Sequence, residues 1–397
     1  MSLIEKLKKS NHLKGDPYIW GIVFVLGFIG VLAVYSSTGT LAFAKQQGNT
    51  EFYLFRHLGF LVVGFFTMYT IHNIPFKFYA KTSIFLMWIS VVLLIVALTF
   101  GLNINNANRV IPIFGFTLQP SDMTKVFIMV WIAKFLSKNQ EEVDNRKVFY
   151  KAMGPVLLAA ALIIPENLST ALVLITSCTL LLYIGRIKTR FIFSFAGGGI
   201  LLISLFVVFL LNVDVDKWSN TRLPTWKARI ESYAGVGESG SDYQKTQAKI
   251  AIATGGLTGK GPGHSTQRNF LPHPYSDFIF AIIVEEYGLF GGLILIAAFI
   301  VLLLRSFKMV VEAQKSFAAL VVLGISFSMS LQAFIHMGVN VGRLPVTGLT
   351  LPLVSMGGTS IIFNSIAFGI ILGTSRHIRE EKLKASTQGA GAVPETA

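Results

Sequence analysis

Apolar residues in this chain do not fall into the alternating or one-faced stripes of a soluble fold; they form unbroken runs of bilayer length. About ten stand out, near residues 17–37, 54–73, 79–100, 121–138, 151–166, 168–186, 190–212, 277–304, 317–340 and 359–375. A hydrocarbon layer of about 30 Å takes roughly 20 helical residues to cross. The pattern therefore predicts an all-α polytopic membrane protein of about ten transmembrane helices. Only Pro165, Glu166 and Asn167 part the fifth run from the sixth, which predicts a tight hairpin there. The long polar interval from Asn212 to Ser276 predicts a large loop between helices 7 and 8, rich in glycine and carrying Trp218, Trp226, Tyr233 and Tyr243. Loops of that size commonly carry function. Residues 1–377 thus read as a single transmembrane domain that includes the loop 213–276, and residues 378–397 as a disordered tail, its end small and polar. No internal repeat is visible.

Composition narrows the class. Of 397 residues 53% are hydrophobic and 14% charged, which excludes an ordinary soluble domain of this length. A net charge of +14 would suit nucleic acid, but its distribution argues otherwise. With the N-terminus in the cytoplasm, the inner segments EKLKKSNHLKG, PFKFYAK, KFLSKNQEEVDNRKVFYK, GRIKTR, RSFKMVVEAQK and SRHIREEKLK hold about 21 of the 34 Lys and Arg, as the positive-inside rule requires. Both termini then lie inside and the large loop outside, since long loops cross regardless of charge. The single cysteine, Cys178, sits within an apolar run and reads as helix packing. Ala42-Phe43-Ala44 faintly resembles a signal-peptidase site, yet the preceding run is long for a signal peptide and reads as an uncleaved anchor.

Four stretches carry candidate chemistry. In IATGGLTGKGPGHSTQRNF the Gly-Lys pair fails as a nucleotide-binding loop, because Thr254 and Gly261 stand where that motif needs Gly and Ser or Thr. The segment can still offer backbone N–H groups, Lys260 and Arg268 to a phosphate, or be a plain flexible turn. In NRVIPIFGFTLQPSDMTKVF, Asp122 and Lys125 are three residues apart, so on a helix they share a face and can pair, either as a structural ion pair or in a polar cavity. In LPHPYSDFIFAIIVEEYG, Ser276 or Asp277 either caps the eighth helix or, for Asp277, serves as a base at the water-accessible surface. On a continuous helix Glu285 would stand about 12 Å deeper and Glu286 on nearly the opposite face, so both are expected to bind other helices. NVGRLPVTGLTLPLVSMGGTSIIFN, with its prolines and glycines, predicts a re-entrant backbone, which is tolerated only buried in protein or lining a cavity. Arg343, Ser355, Thr359 and Ser360 would line that cavity, while tight helix packing accounts for the glycines equally well.

Taken together, VYSSTG (34–39), FGFTLQPSDMTK (114–125), NLSTALVL (167–174), IAIATGGLTGKGPGHS (250–265), LPHPYSDFIFAIIVEEYGLFGG (271–292) and GVNVGRLPVTGLTLPLVSMGGTS (338–360) resemble the SEDS family (shape, elongation, division and sporulation), bacterial polytopic membrane glycosyltransferases. The resemblance covers residues 16–377 and is nearer the division branch than the elongation branch. It implies polymerisation of lipid II into β-1,4 glycan strands on the outer face of the plasma membrane at the division septum. It also implies a class B penicillin-binding protein and other division proteins as partners. It places the family's aspartate on Asp277, and its polar cavity on Arg109, Lys125, Ser355, Gly357 and Gly358. Three positions depart from the family pattern: Asp122 stands for a Glu, His273-Pro274-Tyr275-Ser276 for Glu-x-His-Thr, and Met356 for a Tyr.

The chemistry so implied is a single inverting displacement. The 4-hydroxyl of an incoming lipid II sugar attacks the anomeric carbon of a glycan held on undecaprenyl pyrophosphate, with Asp277 as general base. Such a base contributes about 10² to 10⁴-fold. Cations among Arg109, Lys125, Lys260 and Arg343 would meet the departing pyrophosphate, with a divalent ion, magnesium or manganese, as an assistant and no organic cofactor. No dedicated metal cage is visible in the sequence. Rival readings are a lipid II transporter, an elongation-type polymerase and a noncatalytic division scaffold.

Overall fold

A computed structural model describes residues 14–103, 108–113, 116–212, 223–234 and 240–390. Each predicted run is a helix: α1 Pro17–Ser37, α3 Thr50–Asn73, α4 Phe76–Phe100, α5 Pro120–Lys138, α6 Arg146–Ile163, α7 Leu168–Ile184, α8 Thr189–Asn212, α11 Ile279–Glu312, α12 Ser316–Asn340 and α13 Thr359–Ala390. Among the described residues α1, α3, α4, α8, α11, α12 and α13 are long and apolar enough to cross a membrane. The chain is thus a multi-pass membrane protein. The other three fall short for plain reasons. Asp122, Lys125, Lys134 and Lys138 lie in α5; Arg146, Lys147 and Lys151 open α6; and α7 has only 17 residues.

Between these stand a short helix α2 (Gly39–Lys45) and a small antiparallel sheet of β1 (Leu102–Asn103), β2 (Asn108–Ile113) and β3 (Phe116–Leu118), with β2 in the middle. The interval expected as a loop, 212–276, holds two helices, α9 (Leu223–Ala234) and α10 (Gly240–Gly255). Its polar, glycine-dotted composition hid them. Residues 378–390, expected to be disordered, prolong α13 instead. Lys315 pairs with Glu381, and Lys382 with Glu312, tying this extension to the ends of α11 and α12.

Local chemistry sets the helix ends. Asp16, Asn49, Asn145 and Asn167 cap α1, α3, α6 and α7 by accepting from N–H groups of the first turn. Asn167 closes the expected α6–α7 hairpin. Interior and periphery are sharply separated. Within their apolar stretches 72% of α12 is buried against 6% of α8, so α12 is a central post and α8 an outer one. A main core runs through the bundle, and a second, smaller one gathers Ala248, Ala251, Leu271, Phe278, Ala281, Ile282 and Val346 at one end. That small core seats α10, the approach to α11 and the segment after α12 on one another.

Candidate functional site

The approach to α11 carries the principal candidate. Asp277 lies in the turn just before the helix and is half-buried. Neither it nor Ser276 caps α11, whose N-cap position is Phe278 with no side-chain cap. The capping alternative is therefore corrected. Ser276 Oγ donates to Asp277 Oδ1 at 3.2 Å, and a side chain added at Gly348 would come within 3.8 Å of Asp277 Oδ2. One face of the carboxylate thus meets a hydroxyl and another a bare glycine. Tyr275 stands beside it. Burial, then the Asp277 charge and Tyr53, raise the Tyr275 hydroxyl above its ordinary range, so it is protonated at neutral pH. His273, at a left-handed φ of 55°, accepts or donates at Nδ1 to Tyr275 Oη across 3.1 Å.

The segment 341–358 is re-entrant, but its inner part is buried in protein. Leu349, Leu351, Leu353 and Val354 are buried. Of the hydroxyls expected to line a cavity, those of Ser355 and Thr359 bind backbone and that of Ser360 another hydroxyl. Ser355 Oγ accepts from Leu351 N and donates to Ser276 O, both at 2.8 Å; Thr359 Oγ1 donates to Thr117 O at 2.7 Å; Ser360 Oγ lies 3.4 Å from Thr350 Oγ1. Ser355 therefore positions the Asp277 turn, assisted by Met356 N, which donates to Tyr275 O at 2.9 Å. Gly357 packs directly against Ser360, and Gly358 takes a left-handed φ of 54° at the entry to α13. Arg343 lies past the last turn of α12 and is exposed rather than enclosed in a cavity. Lys249 of α10 fills the space above Gly342, next to it. The sequence reading missed this lysine, which sits one residue before the quoted IAIATGG.

The expected interior pair is present. Lys125 Nζ is 2.9 Å from Asp122 Oδ1 and donates to Gln332 Oε1 at 2.5 Å, with both charged residues buried. These groups, with Ser328, Asn364 and apolar neighbours, line a small cavity of about 20 Å³. Gln332 links it to the re-entrant segment, since its Nε2 donates to Thr350 O at 2.7 Å. Arg109 lies in β2, and its side chain falls outside the described residues.

The Gly-rich segment is not a phosphate cradle. Lys260 N and Gly261 N donate to the carbonyls of Glu285 and Glu286, both at 2.9 Å, and Leu289 N donates to Gly256 O. Those carbonyls are available because α11 breaks at Gly288 (φ 66°, ψ −166°). Side chains at Gly259 or Gly288 would run into the facing backbone, which is why glycine stands at both. Lys260 Nζ, expected to meet a ligand phosphate, is 2.5 Å from Glu285 Oε1. Glu285 also accepts from Ser265 Oγ (2.5 Å), Thr266 N (3.1 Å) and Gln267 N. Glu286 accepts from Ser36 and from Ser265 N, while Arg268 donates to Ser36 O at 2.8 Å. The two glutamates were expected to bind other helices. They bind the 260–267 loop, and α1 only through Ser36.

Among the described residues no three His, Cys, Asp or Glu side chains come together as a metal site. The described residues around Asp277 thus offer no ready cage for the divalent ion the sequence suggested.

Residues 17–380 match the sequence profile of a family described as “Cell cycle protein”, covering FtsW, RodA and SpoVE. The chain is 33% identical over 366 residues to the “Stage V sporulation protein E” of Bacillus subtilis, covering 90% of this chain and 96% of that one. It is 31% identical to a “Probable peptidoglycan glycosyltransferase FtsW” of Coxiella burnetii, over 92% of this chain and 98% of that one. Its fold resembles the Rod shape determining protein RodA of Thermus thermophilus (TM-score 0.65, 20% identity, 92% of this chain and 98% of that one). A chain from work titled “Structural coordination of polymerization and crosslinking by a peptidoglycan synthase complex” matches similarly (TM-score 0.66, 22% identity, 90% and 98%).

Proposed function

The chain belongs to the FtsW, RodA and SpoVE family, and from that premise we propose that it is a peptidoglycan glycosyltransferase that polymerises lipid II with Asp277 as general base. The single observation that carries the assignment of the base is the environment of Asp277: a half-buried carboxylate, not spent on capping, set between Ser276 and the open space over Gly348. A base must lie within hydrogen-bond reach of the proton it takes, and here only a hydrogen atom stands where another residue would place a side chain.

In the proposed reaction the 4-hydroxyl of the incoming lipid II sugar gives its proton to Asp277 as its oxygen attacks the anomeric carbon of the growing strand. The bond from that carbon to the pyrophosphate breaks, and the α-linkage becomes a β-1,4 bond. Arg343 is the proposed cation for the pyrophosphate, and Lys249 lies against the neighbouring Gly342. Lys260 is committed to Glu285. Asp122 and Lys125, deeper in the bundle, are the candidate polar contacts for a second part of the lipid substrate.

The same reading puts the Asp277 end of the bundle outside, both termini in the cytoplasm and ten helices across the membrane, forming one transmembrane domain. The distribution of Lys and Arg supports that orientation. A class B penicillin-binding protein is the proposed partner, and the septum the proposed site of action. The sporulation and division names of the relatives favour this over wall elongation.

The test is polymerisation of labelled lipid II by the purified chain, alone and with a class B penicillin-binding protein, run beside an assay of lipid II movement across liposomes. Glycan strands without transbilayer movement are expected. Movement without strands would replace the polymerase by a transporter, for which a polar cavity deep in the bundle is the natural observation.

A further inference from the structure

Helix α11 begins two residues after Asp277 with no cap of its own. An uncapped first turn leaves N–H groups in need of an acceptor, and the nearest side chains in sequence are those of Ser276 and Asp277. A residue 59 positions beyond Ala281 meets the need. Asn340, fully buried in the last turn of α12, accepts from Ala281 N through Oδ1 at 3.0 Å. Its Nδ2 donates to Asp277 O at 3.1 Å and to His336 O at 2.8 Å. One amide thus satisfies the helix that Asp277 would otherwise cap and grips the backbone of Asp277 itself.

Asn340 does not act alone. Four residues earlier His336 lies with Nδ1 2.8 Å from Leu349 O, and four before that Gln332 joins Thr350 O to Lys125. Residues spaced by four share a helix face. One face of α12 therefore fastens the interior pair, the re-entrant segment and the Asp277 turn over about 12 Å of helix.

We infer that Asn340 is a positioning residue for Asp277: by capping α11 from another helix and holding the Asp277 carbonyl, it keeps the carboxylate turned toward Gly348 rather than toward its own helix. This rests on the reading of Asp277 as the base.

The experiment uses the full chain with its penicillin-binding partner and measures lipid II polymerisation for wild type, Asn340→Ala, Asn340→Leu and Asp277→Asn. Backbone hydrogen exchange over residues 277–284 is followed in the same samples. Leucine has the same number and branching of side-chain heavy atoms as asparagine but no hydrogen-bonding group, which fills the site in α12 that alanine leaves empty. In folded Asn340 variants kcat should fall about ten-fold or more with KM for lipid II within about two-fold, because an interaction felt only in the transition state is lost. Exchange at the start of α11 should quicken. Either variant keeping the wild-type kcat while folded, or losing only in KM, overturns the positioning role. Should Asp277→Asn polymerise at the wild-type rate, the base assignment falls and the positioning role with it. Should only the Asn340 variants do so, the base stands and the positioning role alone falls.

Discussion

Three carboxylates lie within ten residues of one another, and the chain treats them in opposite ways. Glu285 and Glu286 are buried, and Ser36, Lys260, Ser265, Thr266 and Gln267 converge on them. Asp277 is half-buried, receives Ser276, and faces a glycine. A buried carboxylate is tolerable only when its own protein supplies the donors. The glutamates are thus built into a latch that folds the 259–267 loop onto the broken helix α11. The aspartate's turn is held by its backbone, through Asn340 and the Ser355 contact with Ser276. Burial and the loop that closes over them set the two glutamates apart from the half-buried aspartate.

The contrast is broken most severely at the latch. Glu285→Ala would strand Lys260 and the donors of Ser265, Thr266 and Gln267, at a cost on the order of 3–5 kcal/mol. We expect early proteolytic cleavage in 259–271 and loss of polymerisation as a consequence of misfolding, read as a lowered melting temperature in detergent. The interior pair comes next. Lys125→Met leaves Asp122 buried without its cation and should destabilise by about 3 kcal/mol. Adding Asp122→Leu should restore the melting temperature but not polymerisation, if the cavity serves the substrate. The smallest effect on stability is expected of Gly348→Ala. Its methyl would make ordinary contact with Asp277 at 3.8 Å, so the fold should hold within about 0.5 kcal/mol. Yet kcat/KM should fall by about ten-fold, because the space beside the carboxylate is filled.

Much of this architecture was legible in the chain. Unbroken apolar runs gave the position of every major helix, because bilayer length is a coarse and strong signal. The spacing of Asp122 and Lys125 gave their pairing. Asp277 was singled out, although only the structure settles that it does not cap α11. What stayed hidden depends on contacts distant in sequence. Gly288 breaks α11 just after Glu285 and Glu286, and the carbonyls freed by the break captured the Gly-rich segment that looked ready for phosphate, so the glutamates bind that loop where other helices were expected. Ser355 and Thr359 read as cavity lining because a hydroxyl in sequence does not reveal that its partner is a carbonyl about 80 or 240 residues away. Gln332, His336 and Asn340 left a usable trace that was missed: three polar residues at four-residue spacing in an otherwise apolar helix. Helices α9 and α10 left less, since their composition is that of a loop.

The most direct test of the central claim is Asp277→Asn, which keeps shape and hydrogen-bonding capacity while removing the base. Purified with a class B penicillin-binding protein and given labelled lipid II, the variant should melt within a few degrees of wild type, bind that protein as wild type does, and form strands at least about 10² times more slowly. Strands formed at the wild-type rate by a folded Asp277→Asn would contradict the account.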